Sequence, residues 1–273
     1  MKIVFRNSLS KIISFLFRAF LRPVYAVYEW KLYREVKRNP MPRHVAIIPD
    51  GNRRWASKKG FEKIIGHYYG YNKMKEVLKW LYDLNIKVVT VYAMSYENCL
   101  YRSDYERENL FNIISQGLRE LSQNIDKYKV RIRVLGRLEH VPKEVVRLAQ
   151  EIEDKSKNYD ERFLNILLCY GGRQEIVDAF NKLYKDLSSG KLSLKEINEE
   201  IISKYMYTGF MGDLQEPDLV IRTSGEIRIS NFLLWQTAYS ELYFCEALWP
   251  EFRKIDLLRA IRSYQHRERR FGR

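Results

Sequence analysis

From residue 44 onward, short runs rich in branched aliphatic side chains alternate with segments whose apolar residues recur at helical spacing. No other feature of the 273-residue chain constrains its fold so strongly. The strand-like runs fall at residues 45–48, 87–93, 130–135, 164–169, 219–222 and 242–245. Between them lie helical patterns, the clearest being Met74, Val77, Leu78, Leu81 and Leu84, with others near 106–124, 142–158, 174–187 and 254–271. Such alternation predicts an α/β fold with a central, mostly parallel six-stranded sheet flanked on both faces by helices. Ser188-Ser189-Gly190 reads as a surface turn rather than a linker. With no internal repeat or low-complexity tract, residues 42–273 are expected to form one catalytic domain and residues 1–41 a leader.

Charge separates the leader from the rest. Of a net +14, ten lysines and arginines against Glu29 and Glu35 place a surplus of eight before His44, which points to an anionic surface met there. Leu9, Ile12, Ile13, Leu16, Phe17, Phe20, Leu21 and Val24 recur at helical spacing, with Lys11, Arg18 and Arg22 on another face. Arg18, Arg22 and Pro23 interrupt the roughly 20 apolar residues that a membrane span needs, and the apolar run is too short for a signal peptide. An amphipathic helix lying on a membrane surface is the favoured reading; a helix docked on the protein's own groove is the other. The three cysteines, Cys99, Cys169 and Cys245, are far apart and form no CxxC pair. They suggest neither a disulfide framework nor a zinc site, in keeping with a reducing compartment.

In parallel sheets ligands bind beyond the carboxyl ends of the strands. After the first strand-like run comes Pro49, then the turn residues Asp50-Gly51, with Asn52 as helix N-cap. Arg53 and Arg54 then place positive charge at the positive end of a helix dipole, a broken local rule of the kind that marks function. A bound phosphate resolves the conflict, with Arg54 on the anion and Asp50 on a shared Mg²⁺. A solvated basic turn is the equal alternative. After the second run, residues 94–98 read first as capping chemistry. After the fifth, Arg222-Thr-Ser-Gly-Glu-Ile-Arg228-Ile-Ser230 sets two arginines around a Ser-Gly turn, so that guanidinium groups converge on a phosphate or diphosphate. Gly171-Gly172-Arg173 is a weaker signal of the same sort. GxGxxG, GxxxxGK[ST] and a nucleophile elbow are absent, which removes dinucleotide, P-loop and α/β-hydrolase readings.

Taken together, HVAIIPDGNRRWA at 44–56, Gly66-His67, SYEN at 95–98, YGGR at 170–173, DLVIRTSGEIRISNFLLWQ at 218–236, ELYF at 241–244, LWP at 248–250 and RERRFG at 267–272 resemble the cis-prenyltransferase family. This family includes undecaprenyl diphosphate synthase and dehydrodolichyl diphosphate synthase. The likeness runs in order from His44 to the C-terminus and leaves only the leader outside. The DDxxD motif of the unrelated trans-prenyltransferases is absent.

The resemblance implies a homodimeric, Mg²⁺-dependent cytoplasmic enzyme, peripheral to the membrane. It would add isopentenyl diphosphate in cis to farnesyl or geranylgeranyl diphosphate and make a long-chain lipid carrier for glycan assembly. It implies that Asp50 binds Mg²⁺ and handles the leaving diphosphate, with Glu241 assisting across the dimer interface. Gly51, Asn52, Arg54, Trp55 and His67 would line the allylic diphosphate site, with Lys63 where an arginine often stands. Arg222, Arg228 and Ser230 would hold isopentenyl diphosphate, and Arg270 and Gly272 would reach into the partner's site. Ser95 and Asn98 match residues that assist proton removal.

The chain also departs from the family pattern. Arg53 replaces a glycine, Lys63 lacks the bidentate fork of arginine, and Cys99 replaces an aromatic residue. Arg102 stands four residues after Asn98 instead of three. The SGE spelling and the basic leader look more like archaeal and eukaryotic members than bacterial ones. Two other classes are a non-catalytic partner subunit of the same fold and a nucleic-acid-binding protein. Retention of Asp50, Arg54, Arg222, Arg228 and Glu241 argues against the first; charge concentrated in an apolar-striped leader argues against the second.

Overall fold

A computed structural model describes residues 23–267. In chain order the elements are α1 (residues 23–38), β1 (His44–Ile48), α2 (Asn52–Lys58), α3 (Lys63–Asp83), β2 (Val88–Ser95), α4 (Tyr96–Tyr101) and α5 (Asp104–Tyr128). They continue with β3 (Arg131–Leu135), α6 (Lys143–Ser156), β4 (Phe163–Tyr170), α7 (Gly172–Ser188), α8 (Glu199–Tyr205), β5 (Leu219–Arg222), β6 (Glu241–Phe244) and α9 (Lys254–Gln265). The chain divides into two compact units, residues 42–252 and residues 23–41 with 253–267.

The larger unit is built on a six-stranded sheet in the order β3-β4-β2-β1-β5-β6. Each of its pairings is parallel, so the sheet is wholly rather than mostly parallel. β1 lies between β2 and β5, with Ala46 opposite both Thr90 and Val220. Both faces of β1 are covered, which is why its sequence is a continuous apolar run instead of an alternating one. After β1 the chain builds toward β2 and later returns on the other side to add β5. The reversal leaves a crevice beyond the carboxyl ends of β1 and β5. β2 runs on to Ser95 through register shifts at Tyr92, Met94 and Ser95, past the end expected at Ala93. A bulge of this kind re-aims the residues that follow it.

In the smaller unit, Leu32 and Val36 of α1 and Ile255, Leu257, Leu258 and Ile261 of α9 are buried. Gln265 Nε2 donates to the carbonyls of Val36 (2.9 Å), Pro40 (3.1 Å) and Asn39 (3.3 Å) and so covers the carboxyl end of α1. Lys254 pairs with Glu29 at 3.6 Å. α1 leaves Val24, Tyr25, Val27 and Trp30 exposed. The expected stripe from Leu9 to Leu21 and its basic residues lie outside the described residues. No described helix is long and apolar enough to cross a membrane.

The cysteine reading is overturned. Cys99 of α4 and Cys169 of β4 are joined by a disulfide, their Cα atoms 5.4 Å apart across 70 residues of sequence, and Cys245 is free. Spacing along the chain could not show this, because the fold sets α4 on the end of β4, and cysteine usage no longer argues for a reducing compartment. Alkylation of the denatured, unreduced chain should therefore label one thiol by mass, and three after reduction. Cys99→Ser should cost about 2–4 kcal/mol of stability, as expected for opening a long loop. Three labelled thiols without reduction would contradict the pairing.

Candidate active site

The turn after β1 is set by Gly51, which occupies the N-cap position of α2 at φ 107, a left-handed conformation suited to glycine. A Cβ there would also lie 2.9 Å from Leu248 Cδ2. Asn52 is therefore the first helical residue and not the cap, and its Nδ2 donates to the Pro49 carbonyl at 3.5 Å. α3 brings Gly66 and Gly70, one turn apart, directly against Asn52, where any side chain would collide with its carbonyl and side-chain oxygens.

This rigid turn presents Asp50 to the end of β5. Arg222, almost wholly buried, donates from Nη2 to Asp50 Oδ2 at 2.8 Å and from Nη1 to Ser230 Oγ at 2.7 Å and to the Arg228 carbonyl. Thr223 donates its hydroxyl to the Asp50 carbonyl (2.7 Å) and accepts the Asp50 N–H (2.9 Å). Arg54 stands 3.5 Å from Asp50 and donates to Ser224 Oγ (2.5 Å) and Glu226 (3.1 Å). Burial opposes ionisation of Asp50, but hydrogen bonds and charge from Arg222, with Ser224 and Arg54, hold its carboxyl below the usual range. The two loop arginines stand in different settings. Arg222 ends a buried strand, whereas Arg228, 62% exposed on the turn, pairs with Glu226 at 2.5 Å. Glu226 thereby joins Arg228 to Arg54.

A second cluster forms where α3 meets the start of α5. His67 Nε2 is 3.0 Å from Glu106 Oε1 and 3.1 Å from Arg102 Nη1, and Arg102 also pairs with Glu106. Arg53 approaches the same carboxylate at 3.6 Å. The displaced Arg102 and the unexpected Arg53 thus share one acid. Ser103-x-x-Glu106 spells a capping box, and Ser103 does accept the Glu106 N–H. The Glu106 side chain turns instead to His67 and Arg102, which sequence reading had missed, as it had Thr223. Ser95 caps α4 by accepting the Asn98 N–H at 3.1 Å, the ordinary capping chemistry expected there. Asn98 is half-buried on that helix. Trp55 is buried in packing with Ala56 and Leu248, and its indole N–H donates to Glu251 at 3.2 Å. Lys63, the first residue of α3, lines a cleft of about 440 Å³ with Phe61, Tyr105 and Glu106.

Glu241 is not brought to Asp50 within one chain. It pairs with Leu219 at the amino end of β5, three residues before Arg222, or roughly 10 Å back along the strand. Arg270 and Gly272 lie outside the described residues. Among the described residues no group of three potential ligands could hold a metal. Asp50 alone, ionised and partly exposed beside cationic donors, fits Mg²⁺, which commonly takes one or two carboxylates and fills its shell with water and substrate phosphates. Arg222 Nε and Arg102 Nε are buried without a hydrogen-bond partner, which suits an anion added to both clusters.

Alongside lies an apolar cavity of about 360 Å³ between α3, α5 and the sheet. Val89, Val91 and Ala93, on one face of β2, line it toward the carboxyl end of the strand. At the opposite end the rings of Tyr82 and Tyr128 meet edge to face at 5.0 Å, with Arg162 4.3 Å over Tyr82.

Burial, with the nearby Arg102 charge, pushes His67 down to about 4, although Glu106 opposes the shift. The ring is neutral at pH 7, so it can donate one N–H to an oxygen but adds no charge. Its stability contribution is complete above 6.5, the unperturbed value, and is lost as pH falls toward 4. Proton NMR of the imidazole should show titration near 4, and Arg102→Ala should raise it. A wild-type midpoint near 6.5 would contradict this geometry.

Comparison with known proteins identifies the family. Residues 48–272 match the family described as "Putative undecaprenyl diphosphate synthase". A "Tritrans,polycis-undecaprenyl-diphosphate synthase (geranylgeranyl-diphosphate specific)" of Sulfurisphaera tokodaii is 48% identical over 98% of this chain and 100% of its own length. A protein of the same name from Methanopyrus kandleri is 51% identical over 94% of each chain. The crystal structure of lavandulyl diphosphate synthase from Lavandula x intermedia, in complex with dimethylallyl diphosphate, superposes with a TM-score of 0.81. It is 33% identical over 85% of this chain and 99% of that one. With a match that spans most of its length and the same sheet, the chain belongs to the undecaprenyl diphosphate synthase family and is a cis-prenyltransferase.

Proposed function

We propose that the enzyme extends a geranylgeranyl-type allylic diphosphate with isopentenyl diphosphate, in cis, to a long-chain polyprenyl diphosphate that serves as a lipid carrier for glycan assembly. The observation that carries this is a single ionised carboxylate, Asp50, set between buried Arg222 and half-exposed Arg54. Two cationic groups meet at one acid, as two diphosphates meeting at one reaction centre require. The primer class is supported by the specificity in the names of the Sulfurisphaera and Methanopyrus relatives.

In the reaction the allylic carbon–oxygen bond breaks and its electron pair leaves on the diphosphate. The double bond of isopentenyl diphosphate supplies the pair for the new carbon–carbon bond, and a proton is lost. Arg54 and neutral His67, with Gly51 and Asn52 shaping the turn, bind the allylic diphosphate. Arg54 and Arg102 stabilise charge as it develops on the leaving group. Arg222, Arg228 and Ser230 bind isopentenyl diphosphate. Ser95 and Asn98, at the start of α4, assist proton removal. Mg²⁺, held by Asp50 and the substrate phosphates, would supply further charge neutralisation there.

The growing chain enters the apolar cavity and meets the Tyr82–Tyr128 pair as its floor. A homodimer is supported by Ile176, Val177, Phe180 and Tyr184, exposed together along α7. It would also give Glu241 a second chain to serve. Membrane attachment is supported by exposed Val24, Tyr25, Val27 and Trp30 on α1, followed by exposed Lys31 and Arg34; its readout is salt-sensitive co-sedimentation of the full chain with anionic vesicles.

The test is condensation of labelled isopentenyl diphosphate onto a series of primers with Mg²⁺. Asp50→Ala should lower turnover by orders of magnitude. Arg228→Ala should raise the KM for isopentenyl diphosphate about ten- to hundredfold, and Arg54→Ala that for the primer. Tyr128→Ala should lengthen the products. Near-normal turnover of Asp50→Ala would refute the assignment.

A further inference from the structure

The chain 230–233 takes an unusual path, with Ser230 (φ 49), Asn231 (φ 64) and Leu233 (φ 41) all at positive φ. That path is held by Asn231. Its backbone carbonyl accepts the Gly172 N–H at 2.7 Å, and its Oδ1 accepts the Arg173 N–H at 2.9 Å. These are among the first backbone donors of α7, whose own N-cap residue, Gly171, offers no side chain. The amide Nδ2 donates to Glu97 Oε1 on α4 (2.9 Å) and to Gln174 Oε1 on α7 (3.1 Å). A Cβ on Gly171 would lie 2.6 Å from Asn231 Nδ2, and one on Gly172 2.7 Å from Leu234 Cγ. The glycines of YGGR thus make room for this segment, which accounts for a motif that no substrate role explains.

One residue back, the Ser230 carbonyl accepts the Tyr92 hydroxyl at 3.4 Å while its Oγ accepts from Arg222 at 2.7 Å. Asn231 therefore joins three parts of the site, namely the loop carrying Arg228 and Ser230, the amino end of α7, and the helix carrying Asn98. We infer that Asn231 is a positioning residue that sets Ser230 and Arg222 for the homoallylic diphosphate and ties that loop to α4 through Glu97. This rests on the proposed condensation.

The test uses the full chain and measures both Michaelis constants together with calorimetric binding of isopentenyl diphosphate. Asn231→Gly keeps the positive φ but removes the amide. Asn231→Asp keeps the cap on α7 but sets a carboxylate against Glu97. Each should weaken isopentenyl diphosphate about ten- to hundredfold with little change in the primer KM. Glu97→Gln added to Asn231→Asp reverses donor and acceptor and should restore most of the loss. A merely structural residue would lower the active fraction for both substrates alike and would gain nothing from the exchange. Equal effects on the two substrates, no effect, or no restoration would overturn the inference. Wild-type protein that neither binds nor condenses isopentenyl diphosphate would instead refute the proposed function. In that case, amide exchange at Gly172 and Arg173 left unchanged in Asn231→Gly would refute the anchoring itself.

Discussion

A guanidinium taken out of water must be paired, because an unpaired buried charge costs several kcal/mol. Arg222 is 5% exposed at the end of β5, and what it needs shapes everything around it. One face of the guanidinium takes Asp50, which fixes the turn after β1; the other takes Ser230 Oγ and the Arg228 carbonyl, which folds the following loop back over the strand end. Thr223 and Ser224 then hold the Asp50 backbone and Arg54 in turn. The same interaction that satisfies the fold sets an ionised acid and cationic donors at one point. The topological switch of the sheet supplies the place, and the buried arginine supplies the reason that two loops close on it.

The cost of such a site is borne by backbone shape. Gly51 adopts a φ that a side chain would strain, Gly66 and Gly70 let α3 lie against Asn52, and Gly171 and Gly172 admit the segment after Ser230. Each is a position where another element's backbone or amide comes within reach of where a Cβ would be. The turn that carries Asp50 fits closely because the neighbouring helices have been pared down to meet it.

Much of this was legible in the sequence, for identifiable reasons. A strand covered on both faces must be apolar throughout, so β1 and β5 stood out, and order of alternation gave a parallel sheet. Arg54 was visible because positive charge in the first turn of a helix breaks a local rule, and Asp50 and Arg222 because they stand at the carboxyl ends of apolar strands. What was not legible depends on contacts between elements far apart in sequence. The Cys99–Cys169 pairing, the capping of α7 by Asn231 from a distant loop, and the diversion of Glu106 from its capping box to His67 all need the tertiary fold. Asn52 was misplaced by one position because Gly51 already met the backbone requirement of the cap.

The central claim is that Asp50 and Arg222 act as one unit linking the two substrate sites. A double-mutant cycle with Asp50→Asn and Arg222→Lys, read as kcat/KM for isopentenyl diphosphate addition, tests it most directly. Residues that act together are non-additive, so the double variant should fall within about threefold of the worse single variant. Losses that simply multiply would show that the two residues work independently, and would contradict the account.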